Sequence, residues 1–331
     1  MRKPRIVVIT GATAGVGRAT ALEFARRGAD VALIARDEAA LADTAAEVRA
    51  YGVRALPIPL DVSHADAVDE AASHIEATLG PIDVWVNNAM LTSLAAVADM
   101  PERDFARITE VTYLGYVWGS MAALRRMRPR NRGVIVQVGS ALAYRSIPLQ
   151  AAYCGAKHAI RGFTDSLRCE LRHDKRRIHV TMVQMPAINT PQFDWAKAAT
   201  PHAPRPVAPV FQPEVAARAI YWAATHRRRE LWVGSSSVKA IVANHFFPGL
   251  LDAYLARTGY DAQQDERLPG AGRPDNLWEP VTPLHRTRGR FDDEASDACP
   301  SLWLGTHRGL IVSAGALLGA MWLARGRRRK A

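Results

Sequence analysis

The apolar and polar residues of the chain alternate between two kinds of segment. Short apolar runs rich in β-branched residues recur at 5–9, 30–35, 54–60, 82–86, 133–138, 178–183 and 230–233, and stretches with helical spacing separate most of them. This alternation predicts repeated β-α-β units, whose parallel strands are covered on both faces by helices. We therefore expect an α/β fold of the Rossmann type, a doubly wound parallel sheet of about seven strands.

Two of the predicted helices are long, at 102–127 and 151–173. In the second, Ala156, Ile160, Phe163, Leu167 and Leu171 form an apolar stripe at a spacing of three or four residues, which is typical of a helix packed on a core. Residues 186–213 are rich in proline and show little periodicity. Because long loops in compact domains are often functional, we interpret this segment as a lid over a substrate site.

The composition changes after the last predicted strand. Residues 238–260 predict two short helices or one helix kinked at Pro248, and residues 261–300 form a connector rich in proline, glycine and charge. Residues 309–324 are apolar and uncharged, and a basic run follows at 325–330. The sequence thus predicts a catalytic domain at 1–235, a helical extension with its connector at 236–300, and an apolar tail helix with a basic end at 301–331.

The apolar tail predicts contact with a membrane. At about 1.5 Å per residue, a helix over 309–324 would span roughly 24 Å, which is short of the ~30 Å hydrocarbon core of a bilayer. Its basic end would be attracted to anionic lipid headgroups. We expect a membrane-associated protein, held by a short transmembrane helix or by an interfacial anchor. A helix packed on the body or on a partner subunit is the alternative.

Composition and charge narrow the class of protein. The chain has 331 residues, 48% of them hydrophobic, which is enough for a sizeable core. Its net charge is +11, but Lys and Arg are interleaved with Asp and Glu, so we expect no nucleic-acid partner. Cys154, Cys169 and Cys299 show no metal-ligand spacing, so we expect neither a metal site nor a disulfide framework, and a catalytic domain in the cytoplasm.

A glycine-rich segment, TGATAGVG at residues 10–17, joins the first predicted strand to a helical run. At such a junction the free amide N–H groups and the helix dipole favour an anion, and glycine lets the backbone approach it, so the segment predicts a dinucleotide pyrophosphate site. Arg36 ends the second strand, where arginine pairs with a ribose 2′-phosphate. We therefore expect NADP(H) in preference to NAD(H), although Asp37 comes next.

Tyr153 and Lys157 lie one turn apart on one face of a predicted helix. A nearby ammonium favours the phenolate, which makes the pair a candidate acid/base unit. Ser140 and Asn88 follow the fifth and fourth strands, whose carboxyl ends border the ligand crevice of a doubly wound sheet. With its TGxxxGxG turn and YxxxK motif in this order, the chain resembles the short-chain dehydrogenase/reductase family over about residues 4–235.

The resemblance implies a role for each matching residue. Tyr153 is expected to be the general acid/base, Ser140 to hydrogen-bond the substrate oxygen, and Lys157 to lower the pKa of Tyr153 and hold the nicotinamide ribose. The implied cofactor-binding residues are Gly11, Thr13, Gly15, Val16, Gly17, Arg36, Asp61, Val62, Asn88, Ala89, Tyr153, Lys157, Pro186, Ile188 and Thr190.

The chain departs from the family pattern at three positions. Thr112 stands where the family usually has an asparagine that supports a water-mediated proton relay, and we expect the Thr112 hydroxyl to hold a water in an altered relay. Met90 and Ala187 replace glycines that are usual there. The missing asparagine and the unusual tail leave a second interpretation open, a catalytically weak protein of this fold that senses the cofactor or acts as a scaffold.

The expected reaction is the reduction of a carbonyl, or the oxidation of a secondary alcohol, on an apolar small molecule. Aromatic and aliphatic side chains in the predicted lid and after the last strand favour a steroid-like, fatty or aromatic substrate; they are Phe193, Trp195, Phe211, Phe246, Phe247, Leu250 and Leu251. The resemblance also implies a homo-oligomer that pairs the two long helices. Small residues on the first of them would permit close approach; they are Gly115, Gly119, Ser120, Ala122 and Ala123.

Overall fold

The centre of the computed structural model, which describes residues 5–268, 270 and 272–308, is a parallel sheet of seven strands. The strands are β1 (Ile6–Thr10), β2 (Asp30–Ala35), β3 (Ala55–Pro59), β4 (Val84–Asn87), β5 (Gly133–Ser140), β6 (Ile178–Met185) and β7 (Glu230–Trp232). Their spatial order is β7-β6-β5-β4-β1-β2-β3. The predicted doubly wound Rossmann-type sheet is confirmed.

The order of the strands reverses next to β1, so the chain winds first in one direction and then in the other. Parallel neighbours need crossover connections, and helices provide them on both faces of the sheet. All five residues of β1 and all eight of β5 are buried, as expected for central strands covered on both sides. The carboxyl ends of β1, β4, β5 and β6 therefore meet along one edge.

Eleven helices surround the sheet in the described part of the chain. They are α1 (Gly15–Arg26), α2 (Glu38–Arg49), α3 (Ala65–Thr78), α4 (Glu102–Thr109), α5 (Gly115–Met127), α6 (Ala151–His173), α7 (Gln192–Trp195), α8 (Pro213–Thr225), α9 (Ser235–Phe246), α10 (Pro248–Thr258) and α11 (Pro300–Thr306). The predicted long helix at 102–127 is α4 and α5 joined by one π-helical turn, Glu110–Leu114.

The small residues of α5 face this chain's own sheet. A Cβ at Gly115 would collide with the side chain of Val62, and one at Gly119 would collide with the side chains of Asn87 and Trp85. Ser120, Ala122 and Ala123 are fully buried as well. These residues therefore allow α5 to approach the sheet, and the expectation that they form the surface for a partner subunit is wrong.

The C-terminal extension begins with two short helices, α9 and α10, as the break at Pro248 predicts. The connector then runs back over the body, and its short strand Ala295–Ser296 pairs with Val210–Phe211, which pairs in turn with Ala187–Ile188. The connector therefore packs against the segment predicted to be a lid. The division of the chain into 1–235, 236–300 and 301–331 stays a prediction.

The prediction of a transmembrane helix needs correction. Among residues 5–268, 270 and 272–308, no helix is both long enough and apolar enough to cross a bilayer, and α11 has only seven residues. The transmembrane assignment is therefore wrong for this part of the chain. The apolar stretch at 309–324 and the basic run at 325–330, on which the prediction depended, lie outside the described residues.

Candidate active site

A cavity of about 420 Å³ opens at the carboxyl ends of the central strands. Its walls come from the turn after β1, the ends of β2, β4, β5 and β6, the first turns of α6, and the segment after β6. Every residue predicted to act in catalysis or cofactor binding lines this cavity except Thr112. The structure thus brings sixteen residues from distant parts of the sequence to one cleft, while their individual roles stay predictions.

The glycine-rich turn is held against the end of β4. Gly11 has a φ of +65°, a conformation that favours glycine, and a Cβ there would lie 2.8 Å from the Cα of Ala89. Asn88 donates through its side-chain amide to the carbonyl of Thr10 at 2.9 Å, and the Thr10 hydroxyl accepts from the Asn88 amide N–H at 2.9 Å. The turn is therefore fixed, with the N-terminus of α1 facing the cavity, a geometry suited to a pyrophosphate.

Ser140, Tyr153 and Lys157 converge on the other side of the cleft. Ser140 ends β5, and Tyr153 and Lys157 belong to the first two turns of α6. The Lys157 Nζ donates to the Val138 carbonyl at 2.8 Å and to the Tyr116 hydroxyl at 3.1 Å, and it lies 5.4 Å from the centre of the Tyr153 ring. Lys157 is 2% exposed, so its ammonium is held almost entirely by protein groups.

Burial controls the protonation of this pair. It lowers the pKa of Lys157 from its ordinary 10.5 to about 7. It raises the pKa of Tyr153 above its ordinary value, while the neighbouring Ser140 hydroxyl acts in the opposite direction. The resemblance implied a lowered pKa for Tyr153, and the direction in the structure is the reverse. The reason is that a desolvated cleft disfavours both charged forms, the ammonium and the phenolate.

Thr112 lies away from the cavity, in the π-helical turn between α4 and α5. Its hydroxyl donates to the Leu91 carbonyl at 3.0 Å and accepts from the Leu91 amide at 2.9 Å, so both of its hydrogen-bonding functions connect it to the backbone. Tyr116, one helical turn further on, reaches Lys157 instead. Tyr116 was not predicted from the sequence, although its spacing of four residues from Thr112 places it on the same helix face.

Charged side chains form the other end of the cleft, beside β2 and β3. Arg36 donates to the carbonyls of Trp278 at 2.7 Å and Asn276 at 2.5 Å. Asp37 caps α2 by accepting from the Ala40 amide at 2.9 Å. Asp61 is paired with Arg107, which keeps the pKa of Asp61 below its ordinary value although burial would raise it.

The part of the cavity wall that the connector forms was not predicted from the sequence. Asn276, Pro280, Val281 and His285 all line the cavity. They lie in a segment whose proline, glycine and charge predicted only an extended linker, and nothing in their spacing signals a site. Their position depends on tertiary packing of the fully buried Leu277.

The walls beyond Tyr153 are mainly apolar. Leu142, Ile147, Phe193 and Val207 line this part of the cavity, whereas Trp195 lines it beside Asn276 and His285. Of the other residues expected to form the apolar pocket, Phe211 packs in the core, while Phe246, Phe247 and Leu250 are each more than half exposed. The lid segment therefore contributes to the pocket, whereas the aromatic pair at the end of α9 does not.

No group of three or more His, Cys, Asp or Glu side chains that could hold a metal ion occurs in the described part of the chain. The polar side chains of the cleft are instead hydroxyl, amide, guanidinium, amine and imidazole groups, with two engaged carboxylates, Asp37 and Asp61. This set suits proton transfer and the binding of phosphate groups.

Comparisons with known proteins agree with this geometry. The family model described as short chain dehydrogenase matches residues 5–199. The uncharacterized oxidoreductase YxnA of Bacillus subtilis is 30% identical over 330 residues, 99% of this chain and 92% of that protein. Human 17-beta-hydroxysteroid dehydrogenase 13 is 34% identical over 167 residues, 50% of this chain and 56% of that protein. An alcohol dehydrogenase of the archaeon Thermococcus sibiricus, solved in complex with 5-hydroxy-NADP, superposes with a TM-score of 0.61 at 26% identity, covering 69% of this chain and 95% of that one.

Proposed function

The chain belongs to the short-chain dehydrogenase family and is an oxidoreductase acting on CH–OH groups with NAD(P), and we propose that it prefers NADP(H) and acts on an apolar carbonyl or secondary alcohol. One observation carries the proposal. Ser140, Tyr153 and Lys157 line the same cavity as the glycine-rich turn and Arg36.

The proposed chemistry is the transfer of a hydride and a proton. NADPH, when bound, supplies the hydride to the carbonyl carbon. Tyr153 donates its phenolic proton to the carbonyl oxygen, which becomes the alcohol hydroxyl, and Ser140 donates a hydrogen bond to the same oxygen. In the direction of oxidation Tyr153 takes the hydroxyl proton back. A phenol whose pKa is raised by burial begins the reduction in the protonated form that this step needs.

Lys157 is proposed to hold the nicotinamide ribose and to favour the Tyr153 phenolate once the proton has left. Its ammonium already has two acceptors, the Val138 carbonyl and the Tyr116 hydroxyl. Because its pKa is about 7, Lys157 can exchange a proton near neutral pH. Tyr116 is therefore a positioning residue, since it touches Lys157 and holds the amine in place.

The preference for NADP(H) rests on the charges at the end of β2. The Arg36 guanidinium lies at the cavity wall, and the N–H groups that the carbonyls of Asn276, Leu277 and Trp278 leave free can donate to a phosphate. Asp37, the carboxylate that would repel a 2′-phosphate, is 5% exposed and is bonded to the Ala40 amide and the Thr282 hydroxyl. The NADP-type ligand of the Thermococcus sibiricus enzyme supports the same choice.

The apolar substrate is proposed from the walls beyond Tyr153. Leu142, Ile147, Phe193 and Val207 offer a hydrocarbon-like surface to the substrate that would occupy this part of the cleft. The resemblance to a 17-beta-hydroxysteroid dehydrogenase favours a steroid-like molecule among the candidates.

The experiment that tests this function is a screen of NADPH consumption against a library of ketones and aldehydes, with steroids, long-chain ketones and aromatic ketones as separate groups. We expect turnover with at least one apolar group and a higher kcat/KM for NADPH than for NADH. A higher kcat/KM for NADH would contradict the cofactor preference, and turnover confined to small polar carbonyls would contradict the substrate class.

A further inference from the structure

The connector crosses the mouth of the cofactor cleft from end to end. We call residues 276–291 the strap. At its first end the carbonyls of Asn276 and Trp278 accept from Arg36 at 2.5 and 2.7 Å. The Leu277 side chain between them is fully buried in the core, and the Leu277 carbonyl accepts from Arg107 at 3.2 Å. The strap is thus anchored directly beside the proposed 2′-phosphate site.

The middle of the strap lies on the glycine-rich turn. The Arg286 carbonyl accepts from the Gly15 amide at 3.0 Å, and the His285 carbonyl accepts from Arg18 at 3.2 Å. The Thr282 hydroxyl donates to Asp37. The strap therefore joins the two elements, the turn after β1 and the end of β2, between which the adenosine ribose of a dinucleotide lies in this fold.

The last part of the strap reaches the segment after β6. The Gly289 amide donates to the Asn189 carbonyl at 3.2 Å, and the Phe291 amide donates to the Asn189 side chain at 3.0 Å. A Cβ at Gly289 would lie 2.5 Å from the Thr190 carbonyl oxygen, so only glycine allows this approach. The strap consequently follows the cleft from the adenosine end to the proposed carboxamide end.

His285 is the residue of the strap whose buried polar side chain needs an explanation. Its ring lines the cavity, is only 11% exposed, and packs against Trp195 with the ring centres 5.2 Å apart. Both ring nitrogens are buried, and neither makes a hydrogen bond of normal geometry within the described residues, although the Thr13 backbone is near enough to act on the ring and raise its pKa. Buried polar atoms are nearly always paired, so an unpaired imidazole at a cavity wall points to a ligand.

The charges around His285 favour an anion as that ligand. Three charged side chains face the ring, namely Asp37 at 3.7 Å from its Nε2, Arg18 and Arg36. Arg18 is already paired with Glu47 at 2.9 Å, and Asp37 is bonded to Thr282 and the Ala40 amide. Arg36 has only carbonyl partners among the described hydrogen bonds, and the two carboxylates that act on its charge, Asp61 and Glu279, are not bonded to it. A phosphate between Arg36 and His285 would satisfy both side chains.

We propose that the strap is a built part of the cofactor site and that its His285 contacts the 2′-phosphate of NADP(H), together with Arg36. This inference rests on the proposed preference for NADP(H) and identifies a second specificity-determining residue for it. Burial lowers the pKa of His285, so the ring is neutral without a ligand and can donate one N–H. A phosphate beside the ring would favour its protonated form.

The test measures cofactor affinity in the full-length protein. Binding of NADP⁺, NAD⁺ and adenosine 2′,5′-bisphosphate is titrated by calorimetry for the wild type and for His285→Gln. A hydrogen bond to a charged group corresponds to a loss of about tenfold or more in affinity. We expect that loss for NADP⁺ and for the bisphosphate, with NAD⁺ affinity within about twofold of the wild type.

The matched control is His307→Gln. His307 also packs against a tryptophan, Trp303, with ring centres 4.7 Å apart, but it does not line the cavity. We expect no change in any of the three affinities. If His285→Gln does not fold, His285→Lys places a positive charge at the same position and should retain the preference for NADP⁺.

The outcomes separate this inference from the proposed function. A wild type that binds NADP⁺ no more tightly than NAD⁺ overturns the cofactor preference, and the role of His285 falls with it. A wild type that prefers NADP⁺ while His285→Gln keeps that preference overturns the inference alone. Equal losses of affinity for NADP⁺ and NAD⁺ also overturn it, because they would mean that the strap supports the whole cleft without contacting the 2′-phosphate.

Discussion

Replacing Lys157 by methionine should make the cofactor-free protein more stable while abolishing turnover. Lys157 is fully enclosed, and burial lowers its pKa from 10.5 to about 7. At about 1.4 kcal/mol per pKa unit, keeping this amine in the core lowers the free energy of unfolding by roughly 4 kcal/mol at pH 7. Methionine has a similar length and no charge, so the variant avoids most of that penalty.

The hydrogen bonds of Lys157 do not reverse this expectation. The Val138 carbonyl also accepts from the Tyr116 hydroxyl at 3.0 Å, so neither group is left without a partner when the amine is removed. The loss of two hydrogen bonds, each contributing about 1 kcal/mol net, offsets part of the gain. We expect Lys157→Met to raise the free energy of unfolding by about 2 kcal/mol at pH 7.

The pH dependence gives the sharper test. Because the pKa of Lys157 is lower in the folded protein than in the unfolded chain, the unfolded chain binds the extra proton between about pH 7 and 10.5. The stability of the wild type therefore rises with pH in this window, and that of the variant lacks this contribution. The difference between them should shrink by roughly 2 kcal/mol from pH 7 to pH 9.

The assay is urea unfolding at pH 7, 8 and 9 for the wild type, Lys157→Met and the control Lys239→Met, which removes an exposed lysine from α9. The control should stay within about 0.5 kcal/mol of the wild type at each pH. A stability difference for Lys157→Met that does not change with pH would refute the reasoning, as would a variant less stable than the wild type at pH 7.

Two further predictions follow from the site and from the family. Arg36→Asp should lower the ratio of kcat/KM for NADPH over NADH by at least tenfold, since it replaces the proposed phosphate ligand by a carboxylate, and an unchanged ratio would argue against Arg36. The family resemblance leads us to expect a homo-oligomer, which light scattering after size exclusion measures directly. Its contacts cannot use the face of α5 that carries Gly115 and Gly119, because that face packs on this chain's own residues, and a monodisperse monomer would contradict the expectation.

The fold and most of the cleft could be predicted because their signals are local. Buried parallel strands are continuously apolar, so each of the seven strands is visible as a run such as 133–138. The glycine-rich turn and the Tyr153/Lys157 pair are defined by short spacings that place them on known elements. These features depend on neighbouring residues only, and such information is present in a single sequence.

The parts of the site that could not be predicted depend on contacts between segments that are distant in the sequence. The strap is about 240 residues away from Arg36 along the chain, and its composition gives no sign that Asn276 and Trp278 meet the guanidinium. The lowered pKa of Lys157 and the raised pKa of Tyr153 arise from burial, which only the assembled cleft determines. The role expected for Thr112 followed its position in a motif, while the π-helical turn directs its hydroxyl to Leu91.

The central claim is that Tyr153 transfers the proton in an NADP(H)-dependent reaction, and Tyr153→Phe tests it most directly. The control is Tyr144→Phe, because the Tyr144 hydroxyl bonds Glu230 at 2.7 Å and Tyr144 does not line the described cavity. With the best ketone from the screen, we predict a kcat at least about 1000-fold below the wild type for Tyr153→Phe, with an NADPH affinity within about twofold, and a nearly normal kcat for Tyr144→Phe. A Tyr153→Phe enzyme that keeps a tenth of the wild-type kcat would contradict the account.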